Sequence, residues 1–214
     1  MVKVPREPSL ETLRGLEGAC KELSAGTRLW RVYFRGGRHP TRWSESRHVG
    51  PPLDGRFDHH LPDEKGEPAL QERSVLYAAR HPLTCLAETY QATRIINREH
   101  KQPWLVAFGI AKAVQLLDLT GRFPTRSGAS MGLMTGPRSV SRRWARAYYE
   151  VFAGAQGFIY PSSMHANERA VVLNDRAEVS EVLPPVPAFH RALADPALLT
   201  VLRNAARTLG YLLR

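Results

Sequence analysis

Between residues 73 and 93 the chain reads RSVLYAARHPLTCLAETYQAT, an apolar strand pattern that turns straight into a helix. Val75, Leu76, Tyr77, Ala78 and Ala79 form the strand. Pro82 opens the helix, where its missing N–H has no intrahelical partner to lose and its φ is already helical. Leu83, Leu86, Ala87 and Tyr90 recur at helical spacing and predict the buried stripe. Glu88 lies off that stripe. An acid and the Tyr77 phenol therefore meet near one strand-to-helix corner, a place where a pocket can form.

With 43% hydrophobic and 23% charged residues over 214 positions, the chain fits one globular domain with decorations and excludes a disordered class. Cys20 and Cys85 are too few for a disulfide framework, and both fall on predicted helix faces. They read as reduced thiols of a cytoplasmic protein. No apolar run nears the roughly 18 residues of a membrane span. The opening MVKVPREPSL lacks the apolar core of a signal peptide.

A formal charge of +10 implies an anionic partner: nucleic acid, a phosphorylated small molecule or an acidic protein. Seven arginines against Glu45 and Asp54 fall between Arg28 and Arg56. That local excess suits a dianionic pyrophosphate, which guanidinium forks bind in bidentate fashion.

In chain order, Ser9 caps a first helix with Leu10, Leu13, Leu16, Cys20 and Leu23 on its inner face. In the strand from Leu29 to Phe34, alternation puts Trp30, Val32 and Phe34 on one side and Leu29, Arg31 and Tyr33 on the other. An arginine in such a strand needs an anion or a route to water, and by itself Arg31 reads as a strand-end residue snorkelling outward. Residues 35–72 show little periodicity, and a loop of that length is usually functional or disordered. Gly55-Arg56-Phe57-Asp58 within it has the look of a turn into ordered structure. His39, His48, His59 and His60 fit no zinc spacing and read as solvated.

Strands are predicted at 104–108 and 114–119. Gly128-Ala129-Ser130-Met131-Gly132 matches the G-x-S-x-G nucleophile elbow of serine hydrolases, but the preceding RFPTR is no central strand. Ser139 is predicted to cap a helix that buries Val140, Trp144, Ala147, Tyr148 and Val151 and leaves Arg142, Arg143 and Arg146 wet. Phe158-Ile159-Tyr160 forms a strand stopped by Pro161-Ser162-Ser163, and 171–173 another. A proline-rich wrap at 183–187 precedes a helix capped by Asp195-Pro196, with Leu198, Leu202, Ala205, Leu209 and Leu212 inside. This mixed order of elements predicts an α+β core.

Four pieces, in order, resemble the RES domain family. They are Leu29-Trp30-Arg31-Val32, Gly55-Arg56-Phe57, the strand and helix from Tyr77 to Glu88, and Gly157-Phe158-Ile159-Tyr160-Pro161-Ser162-Ser163. The resemblance covers roughly residues 28–176. It leaves 1–27 as a decorating N-terminal helix and 177–214 as a wrap and helix packed on the same domain. It implies an ADP-ribosyltransferase-like α+β fold of short strands with packed helices. It further implies a toxin that destroys NAD+ by cleaving the nicotinamide–ribose bond, with water or inorganic phosphate as acceptor. The implied partner is a cognate Xre-type helix-turn-helix antitoxin, with DNA reached only through that complex and an oligomer formed with the antitoxin. Arg31 and Arg56 match the family's pocket arginines, Tyr77 its tyrosine, Glu88 its acid and Ser162 its serine, with Ser163 the adjacent candidate. Where the family often has Gly-Gly-Arg-Trp-Asn, this chain has Asp54-Gly55-Arg56-Phe57-Asp58.

Those residue types suit the implied reaction. Cleavage builds oxocarbenium character at the ribose carbon, which a carboxylate such as Glu88 stabilises, with Arg31 as the second catalytic candidate. Arg31 and Arg56 would hold phosphates, Tyr77 would border the nicotinamide, and Ser162 or Ser163 would fix the reacting bond. No G-x-G-x-x-G follows a strand, so NAD+ is expected as substrate, with no cofactor or metal. Two other readings compete: ADP-ribose transfer to a protein on the same fold, and a basic nucleic-acid-binding protein with strongly salt-dependent affinity. No nucleic-acid motif supports the latter.

Overall fold

A computed structural model describes residues 6–51 and 55–214. Residues 1–5 and 52–54 lie outside the described part, and with them Asp54 and the start of the N-terminal segment. Helix α1 (Leu10–Arg14) begins at Ser9, whose Oγ accepts from the Thr12 N–H at 3.1 Å. It ends at Gly15, much sooner than the predicted helix. Cys20–Leu23 is instead a strand, β1, paired antiparallel with residues 114–117. Gly15 and Gly18 weaken a continuing helix, and the sheet ladder takes over the backbone groups of the segment.

Strand β2 (Arg28–Phe34) alternates as expected, with Leu29, Arg31 and Tyr33 on its buried side. The long segment that follows contains β3 (Arg47–Gly50) and the first half of β4 (Ala69–Ala79), longer than the expected 75–79. Helix α2 (Pro82–Thr89) follows directly, with Pro82 at its first position and His81 Nδ1 accepting from the Leu83 N–H. Then come β5 (Ile95–Ile96), β6 (Pro103–Gly109) and β7 (Val114–Asp118). Short helices α3 (Phe123–Arg126) and α4 (Gly132–Thr135) bracket Ser130. No strand runs into that serine, so its G-x-S-x-G match has no elbow geometry. Helix α5 (Arg138–Val151) starts after Pro137, which puts Ser139 inside the first turn and not at the cap. Its arginines are half-buried where full exposure was expected: Arg143 Nε pairs with Glu7 at 2.9 Å, and Arg142 reaches Gly55 O at 3.3 Å.

The remaining elements are β8 (Gly157–Pro161), β9 (Arg169–Asn174), α6 (Val179–Val182), β10 (Phe189–Ala192), α7 (Leu199–Leu209) and β11 (Leu212–Leu213). Leu212, expected inside, is 61% exposed, because Gly210 ends α7 in the left-handed region and turns the chain into β11.

Nine strands form one sheet in the order β1-β7-β8-β9-β4-β2-β6-β10, with β3 added beside β4. All its pairs are antiparallel except β7–β8. Val75, Tyr77, Val172, Phe158 and Tyr160 face helices α1, α3, α4 and α5 across one core. Leu29, Tyr33, Leu76, Val106, Phe108, Ile159 and Val171 fill the core on the other face. A third cluster packs α2 and α7 around Trp30, Val32 and Leu105. Strands β2 and β4 share only the Trp30–Ala79 pairing, while β3 takes the same edge of β4 at Val75. The sheet therefore splits between β2 and β3. Gly157 permits the close β8–β9 contact: with φ at +150°, a Cβ there would stand 2.1 Å from Val172 O.

Candidate functional site

The register fixes which side chains can meet. Tyr77 lies opposite Val172, which lies opposite Phe158; one step on, Ala79 lies opposite Ala170, which lies opposite Tyr160. Tyr77 and Tyr160 thus project from the same face, with two buried alanines as the floor between their rows. Residue 162 follows residue 160 by one strand period and points the same way.

Helix α2 brings Glu88 over this floor. Ser162 Oγ, on a side chain only 1% exposed, donates to Glu88 Oε1 and accepts from the Met164 N–H at 3.1 Å. Gln91 Nε2 approaches Glu88 Oε2 at 3.3 Å, so both carboxylate oxygens are engaged. One turn earlier on α2, Thr84 Oγ1 lies 2.8 Å from His165 Nδ1, a second tie between the helix and the turn that carries Ser162. Ser163, next in sequence, is exposed. Of the two candidate serines, it is Ser162 that meets the acid.

Arg56 reaches the cluster from the other side. Its Nη1 donates to Leu133 O at 3.1 Å, Gly136 O at 2.9 Å and Ser141 Oγ at 3.3 Å, all around the turn from α4 into α5. Burial lowers the pKa of its guanidinium, the nearby Arg138 charge lowers it further, and Glu88, Tyr160 and Tyr77 counteract. The next residue, Phe57, packs on Tyr160 at 4.6 Å between ring centres, and its N–H donates to Tyr77 Oη at 3.2 Å. Burial pushes the Tyr77 and Tyr160 phenols well above their ordinary value. Both stay protonated at neutral pH and can donate to a ligand.

Arg31 belongs to the neighbouring compartment. It is buried, not snorkelling: 9% exposed, with Nη1 donating to Trp43 O at 3.2 Å and Glu45 O at 3.1 Å. Burial brings its pKa down to about 10, still cationic at neutral pH, and the titratable groups around it are Cys85, Glu45, Arg47 and Tyr33. Cys85 stands one turn before Glu88 on α2, and its Sγ accepts from the Val32 N–H at 3.0 Å. Arg31 therefore adjoins the base of the Glu88 helix at the split in the sheet. The structure brings Glu88, Ser162, Arg56 and Tyr77 into one electrostatic cluster, with Arg31 one layer away.

Sequence reasoning missed three features. Tyr160 reads in the sequence only as a strand residue, although its spacing from Ser162 is the signal that puts both on one face. His59 and His60, expected in solvent, are fully buried. His60 Nδ1 and Arg47 both bind the buried Asp58 carboxylate, and His59 Nε2 pairs with Asp175 at 2.9 Å. Burial alone would raise Asp58, but those two partners hold it below the usual carboxylate range. This bracing fixes the segment that presents Arg56 and Phe57. Among the described residues, no group of three or more His, Cys, Asp or Glu side chains could hold a metal. A concavity of about 530 Å³ lies elsewhere, against Trp104, Phe189 and His190, and shares no lining residue with the Glu88 cluster. No helix among the described residues is long and apolar enough to cross a membrane.

The fold is similar to that of a chain in the crystal structure of the M. tuberculosis MbcT–MbcA toxin–antitoxin complex, with a TM-score of 0.58 at 17% identity over 91% of this chain and 96% of that one. The class is thus an α+β, ADP-ribosyltransferase-like core of short strands with packed helices. The RES domain matches residues 28–194, extending beyond the expected boundary at 176, and the chain belongs to the RES domain family. A comparison with curated proteins gave no match.

Proposed function

We propose that this chain is the toxin of a toxin–antitoxin pair and that it degrades NAD+ by cleaving the nicotinamide–ribose bond. The observation that carries the reading is the Glu88–Ser162 contact, formed on one face of the sheet beside Arg56, Tyr160 and Tyr77. Membership of the RES domain family and the likeness to a chain of a toxin–antitoxin complex support the same role.

The chemistry follows from the residues. Nicotinamide leaves as a neutral base, so no strong general acid is required, and the demand falls on the positive charge developing at the ribose. Glu88 supplies the opposing carboxylate, and Ser162 and Gln91 fix its rotamer before substrate arrives. The cationic side of the cluster, Arg56 first and Arg31 behind it, takes the phosphates. The protonated Tyr77 and Tyr160 border the base and donate hydrogen bonds.

Water or inorganic phosphate serves as acceptor, and NAD+ is consumed as substrate in the cytoplasm. A cognate Xre-type antitoxin neutralises the enzyme in a joint complex, through which alone it meets DNA. Chromatography of NAD+ after incubation with the purified chain tests the reading. Release of nicotinamide with ADP-ribose identifies hydrolysis, and phosphate-dependent ADP-ribose-1″-phosphate identifies phosphorolysis. Label transferred from NAD+ to protein would replace the proposal with ADP-ribosyl transfer, and intact NAD+ would refute it.

A further inference from the structure

Arg138 was not among the residues that the sequence pointed to. It opens α5, and Arg56 Nη1 is hydrogen-bonded to Gly136 O at 2.9 Å and Ser141 Oγ at 3.3 Å, the residues that bracket Arg138 in the first turn. The guanidinium of Arg56 is therefore bound at the same helical turn that carries Arg138. Arg56 is held there by neutral acceptors only, and Arg138 has no hydrogen-bond or ion-pair partner among the described residues. After burial, Arg138 is the strongest influence on the Arg56 charge, ahead of Glu88. Proteins usually separate two such cations or place a carboxylate between them, since like charges at close range repel. Here Glu88 offsets the Arg138 charge only in part, no carboxylate is hydrogen-bonded to either arginine among the described residues, and the pair can take an anion supplied from outside.

We infer that Arg138 is a substrate-binding residue that, together with Arg56, clamps the pyrophosphate of the dinucleotide. The inference rests on the proposed NAD+ reading and deepens it. A pyrophosphate brings two negative charges to two guanidiniums and offers each a fork of oxygens. The geometry also divides the labour. Arg56 spends its Nη1 hydrogens on the α4–α5 turn and is fixed, while the half-buried Arg138 is unrestrained and can close on the ligand. With the phosphates anchored at this turn, the nicotinamide ribose is left to reach the Glu88–Ser162 pair.

The test compares wild type with Arg138→Ala and Arg138→Lys, first in turnover of NAD+ and then in calorimetric titration of ADP, which carries the same pyrophosphate and needs no catalysis. Loss of one charge-assisted contact is expected to raise KM roughly tenfold or more and leave kcat within about twofold, with partial recovery in Arg138→Lys. ADP binding is expected to weaken by a similar factor. Unchanged KM and unchanged ADP affinity in Arg138→Ala would overturn the inference, as would a folded wild type that does not bind ADP. If wild type binds ADP through Arg138 but leaves NAD+ intact, the anion site stands and the NAD+ reading falls.

Discussion

Ser162 Oγ donates a hydrogen bond to Glu88 Oε1 across 74 positions of sequence, joining the end of strand β8 to the last turn of α2. The bond occupies one carboxylate oxygen and sets the side-chain direction, so its loss is a loss of positioning. Ser162→Ala is predicted to lower kcat for NAD+ cleavage about 10- to 100-fold with little change in unfolding midpoint. The exposed Ser163→Ala should retain activity within about twofold. Steady-state kinetics on the two variants decides the matter, and equal effects would contradict the assignment.

Gly157 makes the contact between β8 and β9 possible. A Cβ there would meet Val172 O at 2.1 Å, at a φ of +150° that L residues rarely adopt. Gly157→Ala is predicted to cost about 3 kcal/mol or more, read as a lowered midpoint in denaturant. Gly154→Ala, with nothing within 4 Å of its added carbon, should be tolerated.

Asp58 is fully buried between Arg47 and His60. Removing its carboxylate leaves Arg47 without its counter-charge and His60 Nδ1 without its hydrogen-bond partner, a loss of about 3–5 kcal/mol for a broken buried pair. Asp58→Ala should therefore lower stability strongly. Because Asp58 braces the segment that carries Arg56, activity should fall even at temperatures where the variant remains folded. Full activity in a folded Asp58→Ala would contradict that link.

The same neighbourhood sets the response to acid. Burial lowers His59 below its ordinary 6.5, and the Asp175 pairing offsets this only in part. Asp58 and Asp175 both stand below 3.8. All three groups have folded pKa values under their unfolded ones, so the unfolded state binds more protons. Their contributions are complete above about pH 6.5, and they fade as pH falls, His59 first and the carboxylates below about pH 3.8. Denaturation midpoints measured across pH should decline from pH 6.5 downward, and His59→Gln should flatten the first step. A midpoint that rises on acidification through this window would contradict the account.

What could be read from the sequence was local. Alternation in β2 put Arg31 with Leu29 and Tyr33, and proline chemistry marked the start of α2, because both follow from neighbouring residues. The site residues came from the family resemblance, and their spacing alone would not have joined Arg56 to Glu88. Elements made by distant pairing stayed hidden. Cys20–Leu23 becomes a strand only because β7 lies beside it, and β3 and β10 likewise exist through β4 and β6. His59 and His60 looked like loop residues because their burial depends on distant chain: His59 pairs with Asp175, and the Asp58 carboxylate that His60 binds is held by Arg47. Arg138 carried no signal beyond being one more arginine on a basic helix.

The most direct measurement is nicotinamide release from NAD+ by wild type and by Glu88→Gln, prepared alike and both shown to be folded. The substitution keeps the size of the side chain and an acceptor for Ser162, and removes only the negative charge opposite the developing oxocarbenium. Wild type is predicted to release nicotinamide and Glu88→Gln to do so at least about 100-fold more slowly. Equal rates for the two proteins would contradict the account.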